Sequence, residues 1–144
     1  MPVEKGPPSA QEMLGTVPLF SSLSKSQLRT MAITAKERRY RDGDTIVKQG
    51  EKGIGFYLIL EGQARVEKGG QPVATLRAGQ YFGEMALLDE QPRTADVRAT
   101  GGVRCLVLSP WEFWAAVGNE PEVLRHLLKE TVRRIRSSPT GLSE

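Results

Sequence analysis

Between Lys36 and Ser109 short apolar runs alternate with turn signals, and that cadence limits the fold more than any other feature of the chain. The breaks fall at Asp42-Gly43, 50–55, Glu61-Gly62, Gly69-Gly70-Gln71-Pro72, Ala78-Gly79 and Gly101-Gly102. The runs between them are too short for helices and the right length for strands. Strands are expected near 37–41, 45–48, 56–60, 64–68, 73–77, 80–82, 95–99 and 103–108. Ala64–Lys68, joined through Gly69-Gly70 to Val73–Leu76, reads as a hairpin, because two adjacent glycines supply the positive φ angles of a tight turn. Turns this frequent favour a sandwich or a closed roll.

Helical patterns flank this region. Ser9 with Glu12 forms a capping box for a short helix running to Gly15, and Ser24 with Gln27 forms a second. The second box precedes Leu28, Met31, Ala32 and Ala35, which share one helix face. Pro110 suits a first helical position, and Trp111, Phe113, Trp114 and Val117 are read as the apolar face of a helix ended by Gly118. Asn119 with Glu122 is expected to cap a last helix striped by Leu124, Leu127, Leu128, Thr131, Val132 and Ile135. Residues 1–8 read as a disordered leader, 9–136 as a single domain and 137–144 as a flexible tail. A chain of 144 residues, 39% hydrophobic and 26% charged, has the composition of a soluble globular domain. One cysteine, Cys105, rules out an internal disulfide and multi-cysteine zinc patterns. It sits in an apolar run and reads as a buried, inert thiol.

The stretch from Phe82 to Ala99 carries the chemistry. Gly83 lets backbone approach a ligand closely, since no side chain intervenes. Glu84-Met85-Ala86-Leu87-Leu88 are good helix formers, so the amides of a helix start would face outward as an anion site. Arg93 can fold back over that anion and offer a planar, two-pronged donor suited to phosphate. Glu84 would repel a phosphate, so its natural task is to accept hydrogen bonds from a sugar hydroxyl. Together these groups describe a site for a singly charged phosphate fused to a ribose.

The same run resembles the phosphate-binding cassette of cyclic-nucleotide-binding domains, the family of cAMP-dependent kinase regulatory subunits, catabolite activator protein and nucleotide-gated channels. The matching residues are Phe82-Gly83-Glu84, Ala86, Leu87, Pro92-Arg93-Thr94-Ala95 and Val97. A second signature lies upstream in Ile46-Val47, Gly50-Glu51, Gly53, 56–59 and Gly62. Two long patterns in the correct order make the match specific. It covers roughly residues 18–136. The resemblance implies a mainly β fold with flanking helices: an eight-stranded jelly-roll β-barrel with N-terminal helices and a C-terminal hinge and lid helix pair. It implies a cyclic nucleotide as ligand, cAMP ahead of cGMP, with no other cofactor. The implied binding residues are Phe82, Gly83, Glu84, Met85, Ala86, Arg93, Thr94 and Ala95, with Arg134 on the lid helix over the base. An effector protein or domain, not identifiable from the residues, would receive the signal.

Other classes fit poorly. A cupin metal centre needs several histidines inside the barrel, and the chain has one, His126, on the last helix, where it reads as a surface or interface residue. No serine–histidine–acid set can be built around a barrel pocket from so few parts, so enzyme activity is not expected. Arg133, Arg134 and Arg136 lack aromatic interleaving and no DNA-reading segment follows them, so nucleic acid is not expected as a partner. No apolar stretch approaches 18 residues and no basic-then-apolar leader opens the chain. The expectation is therefore a cytoplasmic protein with no membrane contact of its own. The competing reading is a ligand-silent barrel acting as an interaction scaffold through its apolar terminal helices.

Overall fold

In the computed structural model, residues 9–52, 55–88, 93–118 and 120–137 are described. The leader 1–8, Gly53, Pro92, Asn119 and the tail from 138 lie outside them. Helices α1 (Ala10–Gly15) and α2 (Lys25–Thr34) enclose a 3-10 turn at Pro18–Phe20. Six strands follow: β1 (Lys36–Tyr40), β2 (Thr45–Val47), β3 (Phe56–Lys68), β4 (Gln71–Arg77), β5 (Tyr81–Phe82) and β6 (Asp96–Leu108). A 3-10 turn at Glu84–Leu87 separates β5 from β6, and helices α3 (Pro110–Val117) and α4 (Pro121–Ser137) complete the order.

Both N-terminal caps form as expected. Glu12 N donates to Ser9 Oγ at 3.1 Å, and Ser24 and Gln27 close a reciprocal capping box. Met31 is fully buried, with Leu28, Ala32 and Ala35 packed beside it.

The strands form one antiparallel sheet in the order β1-β6-β3-β4, with β2 on β6 and β5 on β3. Among the described residues its path is open, and it has six strands where eight apolar runs were expected. The difference has a physical cause. The runs 56–60 and 64–68 are one strand, β3, continuous through Gly62, and 95–99 and 103–108 are joined through Gly101-Gly102 as β6. Glycine read as a break here acts as a bend. The β3–β6 register shifts between Ile59 and Glu61 and again between Glu61 and Gln63. Such irregularities bend the strand and change which face a residue presents. Tyr57 and Ile59, at odd positions, and Ala64 and Val66, at even ones, therefore belong to the same core. The bend needs Gly62: its φ is 91°, and a Cβ there would collide with the Gly102 carbonyl oxygen. The expected hairpin is present, with Lys68 opposite Gln71 and both Gly69 and Gly70 at positive φ.

Two cores result. On one face Phe56, Leu58, Leu106 and Leu108 pack with Leu14, Phe20, Met31, Phe113, Val117 and Leu127 from the helices. On the other, Tyr57, Ile59, Cys105 and Val107 pack with Val66, Phe82, Ala95 and Val97. Burial pushes the Cys105 thiol up to about 12, as an inert core cysteine requires. At the ends of the sheet path lie β1, whose Lys36, Glu37, Arg38 and Arg39 are exposed, and β4, which carries Pro72.

The C-terminal helices correct two expectations. Phe113 and Val117 are buried, but Trp111 is 72% exposed; at 100° per residue it lies opposite Phe113 and cannot share its face. Among the described side chains of α4, Val123 and Leu127 are buried, while Leu128 and Val132 are exposed; Ile135 of the expected stripe lies outside them. The buried face is rotated by roughly a quarter turn from the anticipated stripe, because α4 seats on the Pro18–Phe20 turn. There His126 Nε2 lies 2.9 Å from Ser21 Oγ, on the surface as anticipated.

If Gly62 is the obligatory bend, Gly62→Ala should lower unfolding stability by about 1–3 kcal/mol, the usual cost of a side chain forced into positive φ. Gly102→Ala should be close to neutral, since a Cβ at Gly102 meets nothing within 4 Å. Urea denaturation of the two variants compares them, and equal stabilities would remove the bend from Gly62.

Candidate functional site

The cassette hangs between the two long strands. Phe82 ends β5 opposite Tyr57 of β3 and stacks on its ring, with centroids 4.8 Å apart and planes within 4°. Gly83 follows at φ 81°, where the tightness of the site is plain: a Cβ there would strike the Arg93 guanidinium and come within 2.5 Å of the Gly55 carbonyl oxygen. No residue but glycine fits. The expected helix start is a single 3-10 turn, and Ala86 N already donates to the Gly83 carbonyl at 3.0 Å. So short a turn has little macrodipole. Arg93 is left as the main attraction for an anion.

Arg93 is fixed at both ends. Its backbone N donates to Glu51 O, and its carbonyl accepts from Gly50 N, each at 2.9 Å. One residue pair thus ties the upstream Gly50-Glu51 signature to the clamp. Gln49 N donates to Asp96 Oδ1 at 2.7 Å and braces the same junction. The guanidinium donates to Gly55 O and lies 5.9 Å over the Tyr57 ring. Its Nε is buried with no hydrogen-bond partner among the described residues. Burial lowers the arginine's pKa, opposed by Tyr57 and Glu84; the cation is partly desolvated, which strengthens any ion pair it makes.

Of the expected site residues, Phe82, Gly83, Arg93, Thr94 and Ala95 line one cavity together with Val47, Val66 and Val97. It measures about 20 Å³. Glu84 is 2% exposed and close enough to Arg93 to stabilise its charge. Ala86 and Ala95 are buried, and Thr94 is exposed. Arg134 lies on α4, but its side chain, like that of Met85, is outside the described part of the structure. Arg93 also lines a second cavity of about 320 Å³ with Arg38, Tyr40, Lys48, Lys52 and Tyr57. Sequence reasoning missed this wall; the aromatic at Tyr57 inside an apolar strand was its one signal. A larger cavity of about 800 Å³ lies away from the cassette between α1, α2 and the sheet. Its Arg104 is already paired with Glu37 and Glu61.

The cassette is also tied to α3. Trp114 Nε1 donates to Leu87 O at 3.0 Å, and Leu87 is packed in the core that holds Phe113 and Val117. The contact between Leu87 and this helix therefore has a polar component as well as an apolar one. Among the described residues no helix is long and apolar enough to cross a membrane.

Residues 37–120 match the family model of the cyclic nucleotide-binding domain. The chain belongs to that family. It is 35% identical over 130 residues to a cAMP-dependent protein kinase regulatory subunit of Mycosarcoma maydis, covering 84% of this chain and 25% of the relative. It thus spans about a quarter of that relative's length. Among solved structures, the N-terminal domain of a transcriptional regulator from Streptomyces coelicolor A3(2) superposes with a TM-score of 0.76 at 27% identity, covering 92% of this chain and 98% of the other. The regulatory domain of Toxoplasma gondii PKA, crystallised with cAMP, gives 0.70 at 30% identity, covering 86% and 49%. All three of these relatives are named for regulatory roles.

Burial beside the cassette pushes the Tyr57 phenol up to about 12, with Tyr40 adding to the rise. Since the folded pKa lies above the ordinary value of 10.0, stability should be unaffected below pH 10 and fall as pH climbs toward 12. Tyr57→Phe should flatten that loss in pH-dependent denaturation. A parent whose stability is level across this window would contradict the burial of the phenol.

Proposed function

We propose that this chain is a cyclic-nucleotide-sensing regulatory module, with cAMP favoured over cGMP, whose C-terminal helix pair closes on the ligand as hinge and lid. The observation that carries this reading is Arg93 pressed against side-chain-free Gly83, partly desolvated and with a buried Nε–H still to be satisfied. In this reading Arg93 clamps the cyclic phosphate beside the amides of Glu84 and Met85. Glu84 accepts from the ribose hydroxyl, and Phe82, Ala86 and Ala95 form the apolar wall. Thr94 meets the phosphate and the base, and Arg134 reaches the base from the lid. The T. gondii regulatory domain solved with cAMP supports the choice of ligand. The two bent strands, each supplying two apolar runs, support an eight-stranded roll. The bond from Trp114 to Leu87 supports coupling between cassette and hinge. The output passes to an effector protein or domain, as the regulatory-subunit relatives suggest.

Removing the clamp should cost about 2–5 kcal/mol, because the phosphate charge is left desolvated and unpaired. Arg93→Ala should therefore weaken cAMP binding by roughly 30-fold or more, with Arg93→Lys recovering only part. Glu84→Gln should discriminate less against 2′-deoxy nucleotide. Binding by Arg93→Ala equal to the parent's would sink the assignment, and no saturable binding up to about millimolar cAMP or cGMP would favour the ligand-silent scaffold.

Selectivity is tested at Thr94. A hydrogen bond made to one base only is worth about 0.5–1.5 kcal/mol, at most about tenfold. Thr94→Ala should lower cGMP affinity more than cAMP affinity; equal losses would limit Thr94 to the phosphate. Closure should change emission from Trp114, and emission and hydrogen exchange in 110–136 both unaltered on titration would mean binding without a switch.

A further inference from the structure

The cavity behind the clamp is charged in a way the cassette does not use. Arg38, Lys48, Lys52 and Arg93 line it, against the single carboxylate of Glu51. Four cations around one small space repel one another unless something neutralises them. None of the ion pairs found among the described residues involves Arg38, Lys48 or Lys52, while Arg93 also feels the carboxylate of Glu84. The volume of about 320 Å³ is at the lower end of small-molecule pockets, roughly 300–1,000 Å³. Two phenols, Tyr40 and Tyr57, also line it, each close enough to Arg38 to feel its charge, and the Tyr57 ring lies beneath Arg93.

We propose that this cavity is a second anion site, built for a small ligand with two or more phosphate charges, and that it opposes ligand binding at the cassette. Lys48 and Lys52 act as point charges at its exposed mouth, Arg38 supplies a fork from β1, and Arg93 closes the inner end. The opposition follows from sharing. Arg93 lines both cavities, and its one positive charge cannot fully neutralise an anion on each side. Two anions that close also repel each other. Such coupling is reciprocal, so a cyclic nucleotide would expel the second anion as strongly as that anion weakens the nucleotide. The competition rests on the proposed role of Arg93; the second site itself does not.

Inorganic pyrophosphate is the probe, titrated into the full chain at constant ionic strength and followed by calorimetry. Saturable binding is expected without nucleotide. Lys48→Gln with Lys52→Gln should weaken it by about tenfold. The double variant should bind cAMP like the parent, which also establishes that it is folded. Saturating pyrophosphate should weaken cAMP binding to the parent about fivefold or more, and at the same concentration weaken it less in the double variant. No saturable pyrophosphate binding, or equal binding in the double variant, would overturn the site. Pyrophosphate binding that leaves cAMP affinity unchanged would overturn the opposition. If cAMP fails to bind at all, the cyclic-nucleotide reading falls while the pyrophosphate isotherm still decides the second site.

Discussion

The antiparallel pairing of β3 with β6 sets what every other element can do. With Phe56 opposite Leu108 and Tyr57 opposite Val107, alternate residues of two apolar runs are sent to opposite faces. One set becomes the floor for the helices, the other the wall of the cassette. A slip of one residue would exchange the two cores. The site and the helices that would respond to it therefore share a single backbone partition. Leu87 and Trp114 meet where the cassette crosses from one side to the other.

Holding a guanidinium in that partition is costly, and the surrounding residues show how the cost is offset. Gly55 contributes a carbonyl, Tyr57 a ring face, Glu84 a nearby carboxylate, and Gly83 the absence of a side chain. Each is individually modest. Their combined effect is to hold a charged donor in a confined space. The same confinement explains why an arginine on an otherwise apolar cavity is compatible with a stable fold.

Much of this was legible in the sequence where chemistry is local. Ser9 and Ser24 announced their helices, Gly69-Gly70 its hairpin, and Gly83, Glu84 and Arg93 their proximity, because each signal is carried by residues close in the chain or by a spaced motif. The misreadings were of long-range origin. Gly62 and Gly101-Gly102 look like turns locally, and only pairing across the sheet makes them bends in continuous strands. Trp111 and Leu128 sit on apolar faces of their helices, but which face is buried depends on where the neighbours lie, and α4 is held by the Pro18–Phe20 turn. Arg38 and Lys48 are distant in sequence from Arg93, so no motif could have announced that they share a wall with it.

An open sheet must also survive its own margins. Unpaired N–H and C=O groups at a strand edge will template another chain unless something prevents it. At one end of the sheet path, β1 presents Lys36, Glu37, Arg38 and Arg39 to solvent. At the other, Pro72 removes a donor from β4. Charge and a missing amide thus do for this domain what closure does for a complete barrel. Colloidal behaviour and recognition are consequently joined in one element: Arg38, which helps keep the edge of β1 from pairing with a neighbour, also faces the cavity behind the clamp. Relieving its charge for the sake of one property would alter the other.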